Sequence, residues 1–325
     1  MGHPLTRSSG IRLAGDTVTR ILLISILLLA ATAAVSSCEV TLNPFSAIKA
    51  TTRETKALAL ADPADLDLSI ENINGQIEIR GESGRSSVSL QIEKIAYGST
   101  KEQAQARLKR IKVLTDRQGD QISLHVQIPW GIWGNAPRVN FTLLVPATLK
   151  RAGARSVNGR LSATGLSASE AIELTTVNGS VSLTGRSSLA ELRSTNGRIE
   201  VQFQGEAHLS AENGSIGGAL TAGPIDVSTT NGSIELSLIQ PRGGQIQAQN
   251  GRIQVQLIQT TDLKISATSS TGNVEMIGFP AGAVERANRS RGAQAHALLG
   301  AGDRTLKLRT QNGSISVELD HAAQQ

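Results

Sequence analysis

The side chains that most often perform catalysis or bind metals are few and scattered in this chain. Its five histidines stand far apart, and neither a His-x-Glu pair nor paired histidine spacing occurs. A single cysteine cannot build a thiolate site, and the sequence has no phosphate-binding loop and no Gly-x-Ser-x-Gly elbow. We therefore predict no metal, no cofactor and no enzymatic activity. The central acidic residues are isolated and are predicted to solvate an exposed face: Glu173, Glu200, Glu212 and Glu235.

Cys38 is the residue whose position indicates a chemical modification. Three arginines precede an apolar run over residues 21–35, which is short for a spanning helix and suits a secretory signal. The sequence Val-Ser-Ser-Cys ending at Cys38 resembles a bacterial lipobox, in which the cysteine is acylated. We predict a signal peptide over residues 1–37, a lipid anchor at Cys38 that attaches the chain to the membrane, and a lipidated tether over residues 38–60. The alternative is an ordinary signal peptide with an unmodified thiol.

Composition limits the partners of the processed chain. Removing three arginines and one aspartate with the signal leaves 29 basic and 26 acidic side chains, about +3, and seven aromatic residues. A nucleic-acid partner is therefore not expected. Trp130 and Trp133 lie close together in Pro-Trp-Gly-Ile-Trp-Gly-Asn-Ala-Pro and are candidate contacts for a sugar or peptide partner. The alternative is a hydrophobic lid over the first repeat.

An Asn-Gly dipeptide recurs at a period of about 18 residues and defines a structural repeat. The residue three positions after each asparagine is branched and apolar, and apolar residues alternate with polar ones on both sides of the dipeptide. This period of two predicts two strands joined by a tight turn, where asparagine and glycine tolerate positive φ. The six copies begin at Asn158, Asn178, Asn196, Asn213, Asn231 and Asn250, with related units at Asn74, Thr271 and Asn312.

Two all-β architectures fit nine such units. In an antiparallel sandwich or meander each Asn-Gly closes a hairpin, whereas in a β-solenoid it is one corner of a coil whose strands stack on the next coil. A second corner favours the solenoid, and the residues of this corner are Gly165, Gly185, Gly205 and either Pro241 or Gly244. The stacked coils are predicted to run from Asn158 to Gly272.

Residues 61–149 form a less regular β region, and residues 150–320 form the Asn-Gly repeat domain. The β region contains one predicted helix over residues 100–117, where Ser99 or Thr100 can cap the start and Gly119 follows the end. Its basic residues are a candidate anion-binding strip, with a solvated helix face as the alternative. Residues 280–304 are predicted to be an irregular excursion or cap.

Together these features resemble a known family, the bacterial "putative adhesins" of the cell envelope, in the lipoprotein form. The likeness spans roughly residues 60–320. It rests on the Asn-Gly-Gln-Ile-Glu-Ile segment at Asn74, the helical insert, the tandem Thr-x-Asn-Gly-Ser units and the final Leu306–Val317 segment. The resemblance implies a β-repeat domain displayed on the envelope and supplies no catalytic residues.

Three functional hypotheses from different classes follow. The first is a lipid-anchored structural, adhesive or binding protein of the bacterial cell envelope, facing the periplasm or the cell surface, whose partner is an envelope protein or a polysaccharide. The second is a periplasmic sensor or regulatory partner in an envelope-stress pathway. The third is a polysaccharide-active enzyme of the β-helix type, which would need clustered carboxylates.

Overall fold

The structure is a computed structural model that describes residues 37–41, 47–128, 136–289 and 292–320. This part of the chain is all-β, and its single α-helix, α1, spans Lys101–Arg110. A short 3₁₀ helix covers Pro63–Asp65. The strands are β1 Ser37–Thr41, β2 Ile48–Ala59, β3 Asp67–Asn74, β4 Ile77–Glu82, β5 Ser87–Gly98, β6 Lys112–Gln118, β7 Gln121–Gln127, β8 Arg138–Pro146, β9 Thr148–Asn158, β10 Leu161–Asn178, β11 Val181–Asn196, β12 Ile199–Asn213, β13 Ile216–Thr221, β14 Ile225–Asn231, β15 Ile234–Ile239, β16 Gly244–Asn250, β17 Ile253–Ile258, β18 Leu263–Thr271, β19 Val274–Ile277, β20 Val284–Arg289, β21 Gly292–Leu299, β22 Thr305–Asn312 and β23 Ile315–Asp320.

The strands of the repeat pair in parallel with the equivalent strands of neighbouring repeats. We call the two strands that flank one Asn-Gly or Thr-Gly turn a rung, named by its first turn residue; the Asn231 rung, for example, consists of β14 and β15. β14 pairs in parallel with β12 and β16, and β15 pairs in parallel with β13 and β17. Equivalent residues lie opposite one another, so Asn231 faces both Asn213 and Asn250. A repeat of nearly constant length makes this register possible.

The alternating pattern separates a single core from two polar outer faces. Side chains point to opposite sides of a strand in turn, so the apolar positions of a rung all face inward. Ile216, Ile234 and Ile253 stack in adjacent rungs and are buried, whereas Ser233 beside Ile234 is exposed. The buried apolar residues of the β region and the repeat form one continuous cluster.

The order of the rungs in space differs from their order in the sequence near residue 250. β22 pairs with β16 on one side and β18 on the other, and β23 lies likewise between β17 and β19. The Asn312 rung therefore separates the Asn250 and Thr271 rungs, and the expected consecutive stack from Asn158 to Gly272 is interrupted. The stretch predicted as an irregular excursion over residues 280–304 contains β20 and β21, and β21 pairs antiparallel with the outer side of β18.

The opposite end of the stack has a comparable arrangement. The Asn74 rung, made of β3 and β4, lies between β9 and β10 on one side and β7 and β8 on the other. β8 continues antiparallel to β5, β5 to β2, and β2 to β1, so antiparallel strands extend this end.

Two segments of the β region differ from their predicted extents. The helix predicted over residues 100–117 ends at Arg110, because Lys112–Gln118 pairs antiparallel with β7 and places Val113 and Thr115 in a strand, which suits β-branched residues. Thr100 is the N-cap, and its hydroxyl accepts the Gln103 N–H at 3.2 Å. Within the predicted tether over residues 38–60, Ile48–Ala59 is paired with β5 along its whole length.

Both corners of the repeat differ in their backbone from the expected turns. Among the described residues the non-glycine positions with positive φ are Ala222, Gln240 and Gln259, so none of the Asn-Gly asparagines adopts it. The last two stack at the second corner, where Gln240 N–H donates to the carbonyl of Ile258. In β10 and in β11 the second corner is a bulge within one long strand, and the bulge of β10 contains Gly165.

Candidate functional site

The Asn-Gly corners form a ladder of side-chain amides along the stack. From Asn158 onward, each ladder asparagine donates from Nδ2 to the asparagine Oδ1 of a neighbouring rung, at distances from 2.7 to 3.1 Å. An amide in such a ladder uses one N–H and one lone pair internally, and it keeps the others for solvent or a ligand. The ladder therefore stiffens a corner that is also a polar surface. Its members are Asn74, Asn158, Asn178, Asn196, Asn213, Asn231, Asn250 and Asn312.

A groove of about 490 Å³ crosses the outer face of β12, β13, β15 and β17. Its floor consists of Gly217, Gly218 and Ala219 in β13, at the register where the neighbouring strands carry longer side chains. The walls present carboxylates, amides and hydroxyls that can donate to or accept from a polar ligand. These wall residues include Glu200, Gln202, Ser233, Glu235, Ser237, Gln254, Gln256 and Glu318.

Packing does not require a glycine at position 217. A Cβ atom there would lie 3.6 Å from the Glu235 carbonyl oxygen and 3.8 Å from Glu200 Oε2, which are ordinary van der Waals distances. At Gly214, by contrast, an added Cβ would lie 2.0 Å from the carbonyl oxygen of Gly197, so the close approach of two rungs demands a glycine. The missing side chain at Gly217 therefore opens the groove without serving the stack.

The groove carries an excess of negative charge. Arg198 Nη1 lies 3.2 Å from Glu200 Oε1, and the ion pairs of the described residues include no partner for Glu235 or Glu318. Ser237 Oγ donates to Gln256 Oε1 at 3.3 Å, which fixes the orientation of that amide. This electrostatic balance suits a neutral or cationic ligand and disfavours an acidic one.

The predicted lipidation site lies away from the groove. Cys38 belongs to β1, where its backbone faces Thr52 of β2. Trp130 and Trp133 lie outside the described residues. Within the described part of the chain, no helix has the length and apolar character needed to cross a membrane.

The predicted absence of a metal site rests on the scattered histidines, two of which have carboxylate neighbours. His125 Nδ1 lies 3.0 Å from Glu71 Oε2, and His208 Nε2 lies 3.0 Å from Glu206 Oε1. The described residues contain no group of three or more His, Cys, Asp or Glu side chains placed to hold an ion. The groove was not predicted from the sequence, because what marks it there is a lack of side chains. Ile-Gly-Gly-Ala at residues 216–219 replaces the Ile-Glu-x-x pattern of nearby repeats.

Comparisons with known proteins place this architecture among distant likenesses only. No family model matches the chain, and no curated protein matches it. A solved structure of a "putative adhesin" from Parabacteroides distasonis is 14% identical with a TM-score of 0.45, covering 82% of this chain and 97% of its own. A "putative lipid binding protein" from the same species (15%, 0.38) and a "putative adhesin" from Bacteroides fragilis (13%, 0.35) each cover 82% of this chain and 96% of their own. Scores this low do not assign the chain to a family.

Proposed function

We propose that the protein is a lipid-anchored, non-catalytic binding protein of the bacterial cell envelope, built as a β-solenoid that holds an elongated, hydroxyl-rich polysaccharide. The groove above Gly217 is the observation that carries this proposal. Its volume of about 490 Å³ is within the range of sites for small molecules and sugar units, roughly 300–1,000 Å³. The groove crosses several rungs, so a polymer that extends beyond it meets the polar side chains of the outer face on further rungs.

The chemistry of the groove supports a polysaccharide ligand. Carboxylates accept hydrogen bonds from hydroxyl groups, while the amides of Gln202 and Gln254 can both donate and accept. A sugar hydroxyl does both as well, so such a ligand satisfies every kind of group in the walls. The unpaired Glu235 and Glu318 favour a neutral or amine-bearing polymer over an acidic one.

A binding role fits the two nearest carboxylates better than glycoside hydrolysis does. Glu200 and Glu235 lie two strands apart, about 9.6 Å between backbones at a strand spacing of about 4.8 Å. A glycosidase needs one carboxylic acid whose pKa is raised by an apolar environment. Both residues are exposed on the outer face, and Arg198 Nη1 lies 3.2 Å from Glu200 Oε1, so neither carboxyl lies in an apolar environment.

The binding experiment uses a substitution that fills the groove and a matched substitution elsewhere. Gly217→Gln places an amide in the groove with no backbone clash at Cβ. Gly153→Gln makes the same change in β9, where a Cβ meets only the Leu68 carbonyl oxygen at 3.5 Å. Wild-type protein is screened against purified envelope polysaccharides, including peptidoglycan sacculi, and the affinity of the best ligand is measured by titration calorimetry.

We expect Gly217→Gln to weaken binding about tenfold or more, because it occludes the floor of the site, and Gly153→Gln to bind like the wild type. Equal affinity of the two variants, or no glycan bound by the wild type, would refute the polysaccharide assignment. Release of shortened glycan by the wild-type protein would refute the non-catalytic assignment.

The lipid anchor has a separate test. Cys38→Ala removes the predicted acylation site, and the described part of the chain offers no spanning helix to replace it. We expect fractionation of cells to move the protein from the membrane pellet to the soluble fraction. Retention of the variant in the pellet after a salt wash would refute the anchor.

A further inference from the structure

The helix α1 lies at the same end of the structure as the backbone of Cys38. Ala104 and Leu108 are buried where α1 packs on β5 and β2, and Arg107 Nη1 donates to the Tyr97 carbonyl at 2.8 Å. β1 pairs with β2 on its other edge and brings Cys38 opposite Thr52. A lipid anchor at Cys38 would therefore hold α1 near the membrane.

The surface of α1 concentrates cations that have no anionic partner. Lys109 and Arg110 in the last turn of α1 are exposed, as are Lys101 in its first turn and Lys112 at the start of β6. The ion pairs of the described residues include none of these four, and Glu102 is the only acidic residue in the helix. Two cations of the adjoining strands have carboxylate partners: Arg53 lies 2.8 Å from Glu93, and Lys94 lies 2.7 Å from Glu54.

An apolar hollow adjoins two of these cations. Arg110 and Lys112 border a depression of about 420 Å³ that is also lined by Ile73, Val126 and Ile128. Ile73 is 38% exposed, and Leu114 on the adjoining strand β6 is 45% exposed. Cations beside exposed aliphatic side chains are the combination that binds anionic bilayers, since charge attracts the headgroups and apolar groups enter the interface.

We infer that the exposed cations Lys109, Arg110 and Lys112, with the apolar hollow beside them, contact the headgroups of anionic phospholipids and set the orientation of the stack on the membrane. This inference rests on the proposed function, because the anchor at Cys38 is what brings this surface to the bilayer. The attraction itself does not need the anchor and can be measured without it. A Lys or Arg near an anionic bilayer raises the affinity by about fivefold.

The test uses the chain from Ala33 onward with Cys38→Ser, since all described residues belong to the compact unit that begins at Ala33. Its folding is first checked by circular dichroism and a thermal melt. Binding is then measured by sedimentation with vesicles of phosphatidylcholine alone or with 40% phosphatidylglycerol, a fraction of about this size being enough to give a negative surface potential. The variant Lys109→Gln with Arg110→Gln neutralises two cations without adding acidic groups to a helix C-terminus. The control, Lys307→Gln with Arg309→Gln, removes the same two charges from exposed positions of β22.

We expect the protein with only the Cys38→Ser change to bind the anionic vesicles and to release them in high salt. The α1 variant should bind about 25-fold more weakly, and the β22 control should lose much less affinity. Equal binding to both vesicle types, or equal losses in the two variants, would overturn the inference. Equally strong capture of a soluble polyanionic glycan would assign the surface to a polysaccharide instead and also overturn it. Failure of the anchor itself would be seen in the Cys38→Ala fractionation, and failure of glycan binding in the Gly217→Gln titration.

Discussion

Replacing Gly214 by alanine tests the steric account of the repeated turn. The φ angle of Gly214 is not in the left-handed region, so an alanine meets no backbone penalty there. The obstacle is the neighbouring rung, because the new Cβ would lie 2.0 Å from the Gly197 carbonyl oxygen. Relief requires the two rungs to separate by more than about 1 Å, since real Cβ atoms essentially never come within 3.0 Å of such an atom.

That separation weakens the hydrogen bonds that hold the two rungs together at this corner. Gly197 N–H donates to the Asn213 carbonyl at 3.2 Å, and Ile199 N–H donates to the Ser215 carbonyl at 2.9 Å. Two backbone bonds at about 0.5–1.5 kcal/mol each, together with overpacking of about 1–3 kcal/mol, give a loss of roughly 2–6 kcal/mol. At about 2 °C per kcal/mol for a chain of this size, the Tm should fall by roughly 4–12 °C.

Gly217→Ala is the matched control three residues away. Its Cβ meets only ordinary van der Waals contacts. Alanine also has less conformational freedom than glycine in the unfolded chain, which stabilises the folded state by about 0.4–1 kcal/mol. Thermal melts followed by circular dichroism should therefore show a Tm equal to or about 2 °C above that of the wild type. A similar fall for both alanine variants would show that glycine is needed for some reason other than the contact between rungs.

Three further predictions concern the core, the repeat and the pH dependence. Ile234→Asp should lower the free energy of unfolding by several kcal/mol, because it places an unpaired charge at a fully buried position. Ser233→Asp on the exposed face should change the stability very little. Equal Tm shifts for the two variants would contradict the inward–outward alternation. Deleting residues 179–196 removes one rung between positions that are already in register, so the β circular-dichroism signal should persist with a modest loss of stability, and aggregation of the variant would contradict parallel stacking. The backbone N–H of Asp62, followed by that of Ala61, holds the pKa of Asp120 below its ordinary value of 3.8. The ionised Asp120 carboxylate therefore stabilises the folded state above that pH, and this stabilisation is lost as the pH falls through the lowered pKa. Asp120→Asn should therefore lower the Tm at pH 7 more than at pH 2.5, and an equal difference at both pH values would rule out the linkage.

The alternation around each Asn-Gly was sufficient to predict the inward and outward faces of the repeat. Period-two spacing is a local property, and the stacked Ile216, Ile234 and Ile253 follow from it directly. The sequence also indicated the capping threonine of α1. The helix end was missed because Lys112–Gln118 has few apolar residues of its own, and only its pairing with β7 makes it a strand.

The glycine at the turn was predicted for a local reason, whereas the structure shows a non-local one. Positive φ is a property of one residue, but the need for Gly214 comes from a carbonyl 17 residues earlier in the chain, at Gly197. The spatial order of the Asn250, Asn312 and Thr271 rungs was equally out of reach, since all three have the same pattern and any of them can stack on any other. The groove required both the register and the neighbours of Gly217 to be known.

The position of β22 and β23 within the stack affects how the protein is made. These are the last described strands, yet they hydrogen-bond on both sides to strands completed more than 30 residues earlier. During synthesis the emerging polypeptide must leave a gap between β16 and β18 until residue 320 has been added. Translation errors that stop synthesis early would therefore expose unpaired backbone between the Asn250 and Thr271 rungs, inside the stack, which makes premature products recognisable to proteases.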